Sequence, residues 1–306
     1  MKSLIKKAET LIEALPYIKE FSGKTIVIKY GGRAMVDSAL KESFARDVVL
    51  MKFVGMHPVV VHGGGPQINV MLKQAGLKPI FRHGVRVTDQ ATMNVVKKVL
   101  GGTINKEIVS LIRRHGGRGV GLNGKDNTLI SARPLTKKEW IKRIGTDKEN
   151  ESSQRSTAKV SESGYGLVGD VDRIDVKELN RLQESRFIPV IAPIAPDADG
   201  QVYNINADHV AGAIASALTA EKILMLTDVK GIRGVQDQRL AHLSRRDIKQ
   251  LVKKGILTDG MLPKVHACLE ALEGGVRKAH IIDGRVSHAL LLEIFTDEGI
   301  GTEIVA

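Results

Sequence analysis

Two apolar strands that each run straight into glycines constrain this chain more than any other feature. "TIVIKYGG" (25–32) ends a β-branched run with a lysine and a glycine pair, and "HPVVVHGGGP" (57–66) ends with three glycines. A helical stretch follows each, "SALKESFARDVVLMKFVGM" after the first and residues 67–75 after the second. Strand, glycines, helix, twice over, is the pattern of a mostly parallel sheet with helices on its faces. Further strands are predicted at "RFIPVIAPI" and "KILMLTDV", with a long helix over "ADHVAGAIASAL" between them. Ahead of all this, residues 4–15 place Leu4, Ile5, Ala8, Leu11, Ile12 and Leu15 on one helical face, and Pro16 bends or stops that helix. Sheets of this kind bind ligands beyond the carboxyl ends of their strands, where the glycines lie.

With 306 residues and 42% apolar composition, the chain can fill a large core or two lobes. No apolar run approaches the ~18 to 20 residues of a membrane span, and no signal peptide is indicated, so the reading is cytoplasmic. The single cysteine, Cys268, excludes an internal disulfide and any multi-cysteine zinc site. A formal charge of +12 attracts anions of every kind; with aromatics at only 4% and the basic residues scattered, small anions fit better than nucleic acid.

Two segments mislead. "GVGLNGK" from Gly119 satisfies a dinucleotide fingerprint and the start of a P-loop, but Asp126 stands where the P-loop needs Ser or Thr, and a helix with a glycine stop precedes it rather than a strand. Turns around a short strand are expected there, with "NTLISARPL" as a strand. "TKKEWIKRIGTDKENESSQRSTAKVSESGYG" is charged, serine-rich and nearly free of aliphatics, and reads as a solvated hairpin or loop without a functional role.

The chemistry lies at the glycines. Gly31, Gly32 and Gly63–Gly65 allow anions to approach backbone N–H groups, and a helix starting there adds its positive end. Lys29 enters the first turn; Asn204, Asn206 and Asp208 gather at a helix start; Lys264 follows Pro263 at another. Capping accounts for Asn206 and Asp208 taken singly. For Lys264 it fails, because a cation at a helix N-terminus opposes the dipole and needs an anionic partner.

"IVIKYGG", "VVVHGGGPQIN", "GVRVTD", "NINADHVAGAIASAL", "LMLTDVKGI" and "GMLPKVHACLEALEGGVRKAHIIDGRV", in this order, resemble the amino acid kinase family. The resemblance implies a three-layer α/β/α sandwich with a mostly parallel central sheet. It divides the chain into an N-terminal helix (1–22) for oligomerisation, an acylamino-acid and dimerisation lobe (23–217) and an ATP lobe (218–306). The implied reaction is phosphorylation of the side-chain carboxylate of N-acetyl-L-glutamate by ATP, with Mg2+ carried on the nucleotide phosphates and no protein metal ligand. Lys29 and Lys264 are then catalytic, oriented by Asp208; the backbone at Gly31, Gly32 and Gly64 meets the phosphoryl group; Gly64, Gly65, Arg86, Asn204 and Asn206 hold the acyl amino acid; Thr227, Asp228, Gly260 and Met261 line the ATP site.

The two ends of the chain resemble the arginine-inhibited members, which implies arginine as inhibitor, contacted by Tyr17, Lys230, His280, Glu293 and Gly299, and a homo-oligomer, either dimer or hexamer. A nitrogen-signalling protein is a further partner the resemblance allows; nucleic acid and membrane are not expected. Departures from the pattern are Arg33 after the glycine pair, His209 after Asp208, and the length of the charged insert at 136–163. Competing readings are a kinase of N-acetyl-2-aminoadipate or aspartate, a non-catalytic amino acid sensor, and a dehydrogenase built on "GVGLNG".

Overall fold

A computed structural model describes residues 1–144, 164–257 and 260–306. At its centre is an eight-stranded sheet in the order His242–Ser244, Thr302–Val305, Lys278–Asp283, Lys222–Thr227, Thr25–Tyr30, His57–His62, Ile188–Ala192, Gly119–Asn123. All pairings are parallel except that of Lys278–Asp283 with Thr302–Val305. The apolar runs of the sequence become central strands because a parallel strand covered on both faces needs side chains that tolerate water on neither.

Alternation along those strands divides the core into two layers. Val27, Val59, Val61, Ile223 and Met225 point to the face covered by the helices Ala207–Ala217 and Leu262–Glu273. Ile26, Ile28, Tyr30, Val60 and Leu224 point to the other, under Ser38–Phe53, Asn105–Arg114 and Ala289–Ile294. The expected sandwich with a mostly parallel sheet is therefore what forms. Each buried Val, Leu or Ile contributes about 1.5–3 kcal/mol on leaving water, and because both sets are apolar the two faces of the sheet share that stabilisation.

Four parallel strands end side by side at one edge of this sheet, delivering Gly31, Gly63, Pro193 and Asp228 to the same side. Over that edge lies a smaller sheet, ordered Ile130–Pro134, Val168–Ile174, Val202–Ile205, Ile194–Pro196. Beside it is a two-stranded ribbon, Phe81–Arg82 with Val85–Arg86. His83 and Gly84 turn that ribbon with φ of 50° and 76°, the positive values that a two-residue hairpin requires.

"GVGLNG" is itself the edge strand Gly119–Asn123, preceded by the helix Asn105–Arg114, which removes the dinucleotide reading. The charged segment needs correction. Residues Lys137–Ile144 form a helix, and Trp140 is buried in a small cluster with Leu135, Tyr165 and Val168. Two aromatic rings, Trp140 and Tyr165, supply there the burial that the missing aliphatics do not. Residues 145–163 of that segment lie outside the described residues.

Candidate active site

Lys29 shares the sheet face of Val27, and the helix Ala207–Ala217 packs on that face with Asp208 in its first turn. Gly212 lets this helix lie against Leu262–Glu273, since a Cβ there would sit 2.8 Å from the Ala267 carbonyl oxygen. Close packing of the two helices brings their N-termini together, and with them Asp208 and Lys264. Lys29 Nζ is 3.0 Å from Asp208 Oδ1, and Lys264 Nζ donates to Asp208 Oδ2 at 2.8 Å. The anionic partner that Lys264 needs is thus Asp208. Both helix starts are organised for this: Asn206 caps the first by accepting from the N–H groups of Asp208 and His209, and Pro263 opens the second.

All three charged groups are largely withdrawn from water. Burial alone would raise the Asp208 carboxyl, but the ammonium groups of Lys264 and Lys29 hold it well below the usual carboxylate range. Burial lowers Lys29, with the like charge of Lys264 adding to the effect. Two cations around one anion leave an excess of positive charge, and a buried excess charge favours an incoming anion.

The glycines set how close that anion can come. A Cβ on Gly31 would meet Lys29 Nζ at 2.6 Å, so the turn and the lysine head occupy adjoining space. Gly32 has φ of 71° and faces the Asp228 carboxylate, whose Oδ1 accepts from Arg33 N–H at 2.6 Å. Asp228 thereby ties the turn of the Lys29 strand to the end of the neighbouring strand that carries Thr227. On the second turn a Cβ at Gly64 would press within 2.5 Å of Ile104 Cδ1 and 2.6 Å of Leu100 Cδ2, while Gly65 faces open space. Leu100 and Ile104 belong to a π-helical turn, Lys98–Ile104, a departure from the α-helix that recurs at functional sites.

Lys29, Gly63–Gly65, Arg86, Asn204, Asn206 and Asp208 line one cavity of about 250 Å³. Arg86 is fixed by the ribbon, which sets it opposite Phe81 with its guanidinium carbon 4.7 Å from the ring centroid. Its Nη2 donates to the Gly65 carbonyl at 3.3 Å, while Nη1 has no hydrogen-bond partner among the described residues. Burial lowers its pKa to about 10, still charged at neutral pH. A buried guanidinium with a free edge recognises a carboxylate. Asn204 reaches Thr88 Oγ1 at 3.5 Å.

Sequence reasoning missed several lining groups. Phe81, Trp140, Arg143 and Asp170 all border the cavity, and Arg143 came from the segment read as solvated loop. His62 was seen only as the residue before the glycines. It is fully buried, its ring Nδ1 lies 2.9 Å from the Gly63 carbonyl, and its Nε2 lies 3.2 Å from Asn105 Nδ2. Burial lowers its pKa to about 4, so the ring is neutral, with Nδ1–H donating to Gly63 and Nε2 accepting from Asn105. That hydrogen bond holds the second glycine turn.

Of the expected ATP residues, Thr227 is buried and its carbonyl accepts from Gly284 N–H at 2.8 Å. Gly260 and Met261 lead into the Lys264 helix. Tyr17, His280, Glu293 and Gly299 meet around a second cavity of about 180 Å³. Lys230 does not line it; it is exposed and its charge bears on Asp283 instead. Among the described residues no group of three or more His, Cys, Asp or Glu side chains could hold a metal ion.

The profile of the amino acid kinase family matches residues 24–283. An acetylglutamate kinase of Geotalea uraniireducens is 53% identical over 305 residues, covering 100% of both chains. One from Persephonella marina is 50% identical over 309 residues, again 100% of each. Among solved structures, the N-acetylglutamate synthase of Neisseria gonorrhoeae, complexed with coenzyme A and N-acetyl-glutamate, superposes with a TM-score of 0.81 at 24% identity. That match covers 98% of this chain and 63% of the synthase. A carbamate kinase of Giardia gives 0.62 at 18% identity over 92% of this chain and 99% of its own. These last two establish the fold alone.

Proposed function

The chain belongs to the amino acid kinase family, and from that premise we infer that it transfers the γ-phosphoryl group of ATP to the side-chain carboxylate of N-acetyl-L-glutamate, a step of arginine biosynthesis. The observation that carries this reading is the buried Lys29–Asp208–Lys264 cluster at the glycine turns.

The chemistry needs little else. A carboxylate oxygen attacks phosphorus while the bond from phosphorus to the leaving ADP oxygen breaks. The nucleophile is already ionised, so no general base is called for, and positioning with charge stabilisation does the work. Nucleophile and phosphoryl group repel each other: two unit charges 4 Å apart cost ~1 kcal/mol in water and ~4 at an effective dielectric of 20. Lys29 and Lys264 offset this from two sides, and Asp208 holds both ammonium groups in place. The N–H groups of the Gly31–Gly32 and Gly63–Gly65 turns meet phosphate oxygens, and the free edge of Arg86 takes the α-carboxylate. Asn204 faces the acetylated end, with Asn206 beside it in the lining of the same cavity. Mg2+ carried on the nucleotide phosphates would neutralise part of their charge.

The test is ADP release from MgATP with N-acetyl-L-glutamate, glutamate, aspartate and N-acetyl-2-aminoadipate in turn. Turnover confined to N-acetyl-L-glutamate is the expected result; turnover with none, or preference for the aminoadipate compound, overturns the reading.

Arginine as feedback inhibitor is a second part of the proposal. The smaller cavity is bordered by the carboxylates Glu20, Glu293, Asp297, Glu298 and Glu303 against the lysines Lys222 and Lys278, an acidic excess that suits a guanidinium. Glu293 already accepts from His280 Nδ1 at 2.6 Å and from the N–H groups of Ile300 and Gly301, which leaves about one of a carboxylate's roughly four acceptor positions open. Adding arginine to the same assay tests it, and turnover unaffected at millimolar arginine rejects it. A cytoplasmic location and a homo-oligomer built through the N-terminal helix complete the reading; among the described residues no helix is long and apolar enough to cross a membrane.

A further inference from the structure

The cavity roof carries a set of charges that the phosphoryl-transfer chemistry above does not use. Arg143, on the helix Lys137–Ile144, donates from Nη2 to Asp170 Oδ2 at 2.8 Å, and its Nε lies 3.3 Å from Glu270 Oε1. Asp170 is buried on the strand Val168–Ile174 that walls the cavity, and it also accepts from Arg133 at 3.0 Å. Glu270 is half-buried on Leu262–Glu273, the helix that presents Lys264. Its other oxygen lies 3.4 Å from Nδ1 of His209, the residue next to Asp208, and His266 Nδ1 stands 3.9 Å from Oε1. Trp140, three residues before Arg143, packs edge-on to His209 with ring centroids 5.7 Å apart.

We propose that Arg143 is a positioning residue that braces the roof of the acyl-amino-acid cavity against the helix bearing Lys264, so that filling the cavity and binding the nucleotide reinforce each other. The proposal rests on the kinase reading above. One guanidinium spans two carboxylates on different elements, a task its planar fork permits and a lysine ammonium performs poorly. Removing the Glu270 share unties the Lys137–Ile144 helix from the Lys264 helix, and removing the Asp170 share unties it from the cavity wall, neither touching Lys29, Asp208 or Lys264. Glu270 in turn fixes His209, so the brace reaches the residue beside Asp208 from both sides. Coupling between two ligands is reciprocal and shows as a change in the affinity of one when the other is present.

The chain contains a single tryptophan, Trp140, and it lies on the brace, so its fluorescence reports the site directly. N-acetyl-L-glutamate is titrated into the full chain, with and without a non-hydrolysable ATP analogue and Mg2+, for wild type, Arg143→Lys and Glu270→Gln. In wild type the nucleotide analogue should tighten N-acetyl-L-glutamate binding about fivefold or more, within the usual range of coupling between sites. In both variants the factor should fall below about twofold while folding, followed by circular dichroism, is retained. The same factor in all three proteins, or no factor in wild type, overturns the brace while leaving the reaction intact. A wild-type chain that binds no N-acetyl-L-glutamate overturns the reaction itself and the brace with it.

Discussion

At the scale of single residues, charge placement separates binding from chemistry. In the proposed reaction Arg86 meets the substrate end that does not react, and Lys264 meets the group being transferred. Arg86→Ala should therefore raise KM for N-acetyl-L-glutamate by about 10- to 100-fold, the loss of a charged hydrogen bond, with a smaller change in kcat. Lys264→Ala should lower kcat by about 10²- to 10³-fold with KM nearly constant, as expected for charge stabilisation felt mainly in the transition state. Steady-state kinetics decides, and the reverse split would exchange the two assignments. Lys264 was legible as a residue in want of a partner, because a cation at a helix N-terminus has no local justification. The identity of that partner was not legible locally, since Asp208 lies 56 positions away and meets it only through the packing of two helices. His62 and Arg143 were missed for a related reason: a histidine before a turn and an arginine in a charged run have ordinary explanations until Gly63 and Asp170 appear beside them.

Among the elements, those with strong periodicity formed where the pattern placed them. The strands Thr25–Tyr30, His57–His62, Ile188–Ala192 and Lys222–Thr227 and the helix Ala207–Ala217 all lie within the predicted stretches. The helix after the second glycine run begins slightly early, on Gly65, because nothing crowds that position. The helix Lys137–Ile144 had no aliphatic stripe to announce it, and its stability comes from Trp140 and from ion pairs to distant carboxylates. The N-terminal helix is the opposite case. Lys2–Glu13 has an apolar stripe and no buried residue, with Leu4, Ile5, Leu11 and Ile12 between 49% and 74% exposed. At about 1.5–3 kcal/mol for each such side chain buried, covering this face would stabilise the proposed pairing with another copy. Light scattering should show the intact chain as an oligomer and a chain lacking residues 1–20 as a smaller one; equal masses would leave the helix without that role.

For the whole molecule, one continuous sheet carries both sides of the proposed reaction: the strand of Lys29 lies between the strand leading to the Gly63–Gly65 turn and the strand of Thr227 and Asp228. Fold class was legible because buried parallel strands and their glycine turns leave an unmistakable apolar pattern. The smaller sheet over the cavity was only partly so; its strands are short and its pairings join residues far apart in sequence, such as Asn204 with Val168. The formal charge of +12 suits an enzyme whose ligands are both anions, though its focus at Lys29, Lys264 and Arg86 is a property of the fold rather than of composition. The central claim is that the phosphoryl group reaches a carboxylate. Hydroxylamine trapping tests it most directly, because an acyl phosphate yields a hydroxamate that a bare ATPase does not. With MgATP and N-acetyl-L-glutamate, hydroxamate should form in step with ADP; ADP without hydroxamate would contradict the account.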